Sequence, residues 1–485
     1  MPETKNLPRK PSAYSRLQWK PVAILGQLKF GLPDEAVFSA PMVEETDPLR
    51  RAFLEEGLAA PSVPGGVNAR EEFVVLLRAA AEIEHALMVQ YLYAWFTTGS
   101  KEDEGDPTEV FQKIAVQEMG HLFSVQNLLR ALGEPVHLFL PEPNSSPAQN
   151  TFPFPLHLGT ASRRTLAQYV TAESPLAGTL TGNLQTQARA AAAEAMIDVR
   201  HVGLLFLKLY WLAQPSDSPS GPWQPPLTPH WAAELGERHM TFTPLAYGAQ
   251  RSWNSIWDVS MEAPNFLELS TPKQLFVARL ADNSPVSSWE QVCRLFYAIG
   301  AQGEGYVDDP NAESHFERFL NLYNNWDSAP PPVIDTVTNP WIGLASTDPE
   351  REASRLTDPD ALALATAFSL RYERILLLIA LTFTPEVASQ ALIDIIRREA
   401  LRDMRRSLVD LTEKLLKRPA KDGADVTALR AGPTFQAGEI PVLFNEIRVR
   451  LNTVKSGTAS ISWPDGMAIV NANLDQPLLD SLAGI

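Results

Sequence analysis

The sequence predicts an all-α protein centred on four long helices, with extra helices towards the C-terminus. Three observations predict it. Apolar residues recur at three and four positions through several long segments, the mark of helices that bury one face. The 40 prolines gather at Pro141 to Pro155, Pro215 to Pro229 and Ala329 to Pro340, where they stop helices and set long Pro-rich loops between them. Apolar residues make up 45% of the chain and charged residues 20%, enough for a sizeable core and too apolar for disorder throughout.

The four central helices are placed at Ala69 to Thr98, Pro107 to Leu132, Leu184 to Gln214 and Ser288 to Gly303. Further helices are expected at Ser314 to Asn325, Asp358 to Phe383 and Pro385 to Lys417. Residues 1–66 read as an irregular arm, 67–326 as the bundle with loop insertions, and 327–485 as a helical extension with a small terminal segment. In that last part the alternation at Ile447 to Val454 and Thr458 to Trp463 predicts a small β-hairpin. No internal repeat is present.

Charge and composition exclude several functions. A net charge of −16, from 41 Lys+Arg against 57 Asp+Glu, repels phosphate backbones and argues against nucleic-acid binding. The polar, proline-broken N-terminus lacks the apolar core of a signal peptide, and the run Ile375 to Phe383 is too short to span a bilayer, so a cytoplasmic protein without membrane contact is expected. The single Cys293 cannot close an intramolecular disulfide and sits in an apolar stretch, which reads as a buried structural thiol. There is neither a nucleophile elbow nor a glycine-rich phosphate loop.

The functional signal lies in ionisable groups on stripes that should be buried. In the first helix the stripe Leu77, Ala80, Ala81, Glu84, Leu87, Met88, Tyr91, Trp95 carries Glu84 inward, while Arg78, Glu82 and His85 share a different, polar side. In the second, Phe111, Ile114, Ala115, Glu118, His121, Leu122, Val125 and Leu129 carry a carboxylate and an imidazole inward. An isolated buried carboxylate costs several kcal/mol unless it is paired or bound to a metal. Glu-x-x-His sets an oxygen and a nitrogen donor one helical turn apart, as in di-iron and di-manganese carboxylate bundles. The alternative for Glu84 is an ion pair with Arg or His across the core.

Other candidates stay open on the residues alone. His201 either completes a metal site or pairs with Asp198. Glu304, between Gly303 and Gly305, marks a close backbone approach or a turn. Tyr91, Tyr93 and Tyr306 read as core filling. Glu373 and Arg371 read as members of structural ion pairs in an apolar helix.

The segment from Ala81 to Tyr93, the segment from Gln117 to Gly133 built on Gln-Glu-Met-Gly-His-Leu, and Gln302-Gly-Glu-Gly305 followed by Ser314-His-Phe316 together resemble the ferritin-like domain of the iminophenyl-pyruvate dimer synthase family. The resemblance spans about Val67 to Asn325. It implies a ferritin-like four-helix bundle with a non-haem iron site of one or two ions, in secondary metabolism of the bisindole and violacein type. Carried over by position, it implies Glu84, Glu118, His121, Glu304 and His315 as metal ligands, the first three and Glu304 being the catalytic set. Two departures stand out: Gln117 occupies a position where the family commonly has Glu, and Leu204 one where a Glu is expected, with His201 one turn earlier in its place.

The expected function is an iron-dependent oxidoreductase or oxygenase that oxidises or oxidatively couples an amino-acid-derived, aromatic substrate, with that small molecule and dioxygen as partners. The alternative is a non-catalytic accessory or maturation protein whose metal is structural or absent. For it the Pro-rich loops and C-terminal helices would dock a partner enzyme or a second copy of the chain.

Overall fold

The computed structural model describes residues 68–98, 107–140, 156–175, 182–195, 202–213, 289–304, 313–328, 330–425 and 428–462, with isolated positions at 17, 61, 63–65, 180, 215 and 482. The arm expected before Val67 and the terminal segment after residue 462 therefore lie almost wholly outside the described residues.

Helix α1, Ala69–Thr97, starts on a capping box in which the Asn68 side chain accepts from the Glu71 amide and the Glu71 carboxylate accepts from the Asn68 amide. Helix α2, Pro107–Ala131, begins with proline at a position whose amide has no helical partner anyway. It stops at Gly133, whose φ of 79° suits a residue without Cβ, while the Glu134 amide closes back on the Leu129 carbonyl at 2.9 Å. These two helices pack along one another and form the backbone of the bundle.

Short α3, Arg163–Ala172, is capped by Ser162. The long third helix expected from Leu184 to Gln214 is represented by α4, Gly182–Ala195, and α5, Val202–Ala213, residues 196–201 lying outside the described part. Helix α6, Trp289–Glu304, packs on α5, and α5 on α1, so that α1, α2, α5 and α6 make the bundle. Helix α7, His315–Asn325, carries its own capping box, Ser314 with Glu317, and leans on α3, α2 and α6. Cys293 is buried in α6, its thiol donating to the Tyr210 carbonyl at 3.5 Å, as expected of a structural thiol.

The C-terminal helices form a second layer. They are α8 (Pro349–Ser354), α9 (Pro359–Thr382), α10 (Gln390–Arg402) continued by a π-helical turn at Asp403–Ser407, α11 (Leu408–Leu415) and α12 (Phe444–Ala459). This layer meets α1 and α2 through α9 and α11. They share one hydrophobic core with the bundle. At the seam an apolar cavity is walled by Met88, Met119, Leu122, Ile375, Met404 and Leu408 among others.

Two expectations are corrected here. The predicted β-hairpin is absent: Ile447 to Val454 lies in α12, because Ile447, Leu451, Val454 and Thr458 are buried at spacings of four, three and four, a helical stripe that β-branched residues disguised as alternation. Among the described residues there are only isolated bridges, such as Thr98 with Val333, and no strand. The side of α1 bearing Glu82 and His85 is also not a solvated face. Both are buried, because the C-terminal helices and the 134–140 segment cover them. His137 Nε2 lies 2.7 Å from Glu82 Oε1, His85 Nδ1–H donates to the Phe139 carbonyl at 3.2 Å, and the Tyr372 hydroxyl donates to His85 Nε2. No helix of the described residues is long and apolar enough to cross a membrane.

Candidate metal centre

The inward stripes of α1 and α2 face each other, so Glu84, Glu118 and His121 meet inside the bundle. His121 Nδ1 lies 3.0 Å from Glu118 Oε2 and 3.3 Å from Glu84 Oε2. Helix α7 delivers His315 to the other oxygen of Glu118, with Nδ1 at 2.7 Å from Oε1. The imidazoles of His121 and His315 stack with centroids 5.8 Å apart. A further carboxylate comes from the C-cap of α3: Glu173 Oε2 is 3.9 Å from His315 Nδ1, and Glu173 Oε1 accepts from the Tyr91 hydroxyl.

The result is two buried donor triads, Glu84–Glu118–His121 and Glu118–Glu173–His315, each with donor atoms within 4.8 Å of one another and sharing Glu118. Of the residues expected from sequence, Glu84, Glu118, His121 and His315 are brought together. Glu304 closes α6 beside Gln302, its side chain lying outside the described part, and His201 lies outside the described residues altogether. The close approach expected of Gly303 is present: a Cβ there would stand 3.2 Å from Glu173 Oε2.

Sequence reasoning missed Glu173. The signal was available, because Leu166, Tyr169, Val170 and Glu173 follow the same three-and-four spacing that drew attention to Glu84. Tyr91 goes beyond core filling: it packs edge-on against Tyr169, with centroids at 4.8 Å, and also holds Glu173.

Burial and mutual charge govern the electrostatics. Burial, then the neighbouring charge of Glu118, pushes the Glu84 carboxyl up to about 8. Burial alone would lower His121, but the carboxylates of Glu118 and Glu84 outweigh it and hold the imidazolium well above its usual range. His315 is driven well below that range by burial and then by the charges of His121 and Arg318. Burial, then the charges of Glu173 and Glu118, holds the Tyr91 hydroxyl protonated.

This donor set fits a cation. Glu84 Oε2 and His315 Nδ1 are buried without a hydrogen-bond partner, although each has a group of the cluster nearby. Among the described residues of the cluster, carboxylates outnumber imidazoles three to two, and a divalent ion would balance that charge. Mixed imidazole and carboxylate donors suit iron, manganese or zinc better than calcium or magnesium.

The family comparison agrees with the helical architecture. Residues 77–217 match the family described as Ferritin-like. Over 229 residues the chain is 26% identical to 2-imino-3-(indol-3-yl)propanoate dimerase of Chromobacterium violaceum, an alignment that takes in 39% of this chain and 22% of that protein. The chain thus spans about a fifth of the length of the curated relative it matches. A ferritin-like protein of Caulobacter vibrioides aligns over 71% of this chain and 93% of its own, at 16% identity and a TM-score of 0.34. Residues 77–217, which supply Glu84, Glu118, His121 and Glu173 of the two triads, match a ferritin-like domain.

Proposed function

We propose that this protein is a non-haem iron oxidoreductase that oxidises or oxidatively couples an aromatic, amino-acid-derived substrate in secondary metabolism. The observation that carries the reading is the pair of buried donor triads joined by Glu118, which suits two ions or one ion with a spare position. Glu84, Glu118 and His121 would hold one ion, and Glu118, Glu173 and His315 the other. Glu304 and His201 stand as further proposed ligands on sequence grounds alone. The substrate class follows from the likeness to a protein named for an imino-indolylpropanoate.

Iron bound there would supply the one-electron redox chemistry that carboxylates and imidazoles lack. The chain's own residues prepare the place for it. Glu84 keeps a proton up to about 8 and gives it up when a cation arrives, so metal binding releases protons and tightens as pH rises towards that value. Tyr91 orients Glu173 through its hydroxyl. The rings of Tyr91, Phe111, Tyr169 and Phe319 pack together on that side and exclude water, which strengthens every charge interaction inside.

The test is metal content per chain after expression with supplemented iron, read by plasma mass spectrometry together with absorption spectra with and without oxygen. One to two irons per chain and an oxygen-dependent spectrum are expected. A folded protein that stays metal-free after iron reconstitution would overturn the reading and favour the accessory role.

A further inference from the structure

Both imidazoles of the centre are held from behind by a glutamine. His121 Nε2–H donates to Gln302 Oε1 at 2.8 Å, and His315 Nε2–H donates to Gln117 Oε1 at 2.9 Å. In each ring the atom left facing the carboxylates is Nδ1. A neutral imidazole that places its proton on Nε2 presents a lone pair at Nδ1, which is the form a metal takes.

An amide on its own can turn its NH2 towards the ring and reverse this assignment. At Gln117 a second donor removes that freedom. Arg318, one turn after His315 on α7, directs Nη1 to the same Gln117 Oε1 at 3.5 Å. A reversed amide would set its NH2 against a guanidinium. Glu313 and Glu317 also act on the Arg318 charge, and Gln117 is itself 7% exposed. The lone Nδ1 of His315, buried without a hydrogen-bond partner, is the other end of the same relay.

The neutrality of both partners matters as well. Ligating histidines are commonly backed by carboxylates, which raise their basicity. Here three carboxylates already crowd the interior, and two more behind the rings would add buried charge at a cost of several kcal/mol each. An amide oxygen orients the ring without that charge.

We infer that Gln117 and Gln302 are positioning residues that present both histidines to the metal through Nδ1, with Arg318 locking the amide of Gln117. This inference rests on reading the cluster as a metal centre. It assigns a function to two polar side chains on α2 and α6 and to the cation of α7.

The experiment has two arms. In protein labelled with 15N-histidine and loaded with diamagnetic Zn2+, so that the Glu118 carboxylate 2.7 Å away no longer holds a proton on Nδ1, long-range nitrogen–proton spectra read which nitrogen of His315 carries its proton. The Nε2–H form is expected in the wild type, and a mixture in Arg318→Met. In the second arm, anaerobic titration with Fe2+ is followed by calorimetry. Gln117→Leu and Gln302→Leu should each weaken binding by roughly 10- to 100-fold, the usual range for lost outer partners of a metal ligand. Gln117→Glu, which keeps the acceptor, should restore binding to within a few-fold of wild type while shifting the absorption of the iron form. It also serves if the leucine variant does not fold.

An Nδ1–H tautomer at His315, or unchanged Fe2+ affinity in folded Gln117→Leu and Gln302→Leu, would overturn the inference. A wild-type chain that binds no Fe2+ would overturn the metal centre along with it. Full wild-type binding with indifferent glutamine variants would sink the positioning relay alone.

Discussion

Two regions of this molecule bury acids, and they neutralise them differently. In the C-terminal layer each such acid meets a guanidinium. Asp403 takes a bond from Arg374 and one from the Ser407 hydroxyl at 2.9 Å, with Arg371 at 3.8 Å. Glu399 accepts from Arg374 at 2.8 Å, and Glu373 is gripped by Arg450 and by the Gly438 amide at 3.1 Å. Inside the bundle, Glu84, Glu118 and Glu173 face the imidazoles of His121 and His315 and the phenol of Tyr91. The same residue type is thus structural where a guanidinium meets it, and a candidate ligand where it shares its place with imidazoles. Burial alone does not separate the two cases; the identity of the partner does.

The largest effect is expected of Glu118→Ala. Because both triads need Glu118, iron content should fall from its wild-type value to near zero, with helicity by circular dichroism retained. Asp403→Ala is the matching change in the other region. It leaves Arg374 buried beside a lost partner and should cost about 3 to 5 kcal/mol in chemical denaturation while iron per chain stays constant. If Asp403→Ala emptied the iron centre, the two regions would not be independent.

Glu84→Gln sharpens the contrast through pH. The folded, metal-free chain holds a proton on Glu84 up to about 8, whereas the unfolded chain releases it near 4.5. Between those values the folded state binds the extra proton, so this group's contribution to stability falls as pH rises. Glutamine cannot ionise, so the variant should lose that slope, on the order of 4 kcal/mol or less, in melts of metal-free protein at pH 5 and pH 8. The variant should also bind iron more weakly. Tyr91→Phe is the smallest change: losing the bond to Glu173 should cost about 1 kcal/mol in iron affinity, measured by competition with a chelator.

Much of this arrangement could be read from the sequence. Glu84, Glu118 and His121 were legible because each breaks an apolar stripe long enough to define a face. His315 became visible through the family resemblance, although Phe316, Phe319, Leu320 and Tyr323 continue its buried side. Glu173 was overlooked because α3 has only ten residues, too few for its stripe to stand out from the surrounding loops. Gln117 and Gln302 carry no charge, so a search for misplaced ionisable groups passes over them. Glu82 and His85 looked solvated because one helix cannot reveal that His137, 55 residues on, and Tyr372, 287 residues on, cover its polar side. The π-helical turn at Asp403–Ser407 left no mark in composition, since a change of hydrogen-bond register needs no special residue.

The methionine-walled cavity between bundle and C-terminal layer has a volumetric consequence. An apolar pocket packs less densely than the helices on either side of it, and compression favours the state of smaller volume. Hydrostatic pressure should therefore part the two layers along Met88, Met119 and Met404 before it melts either one.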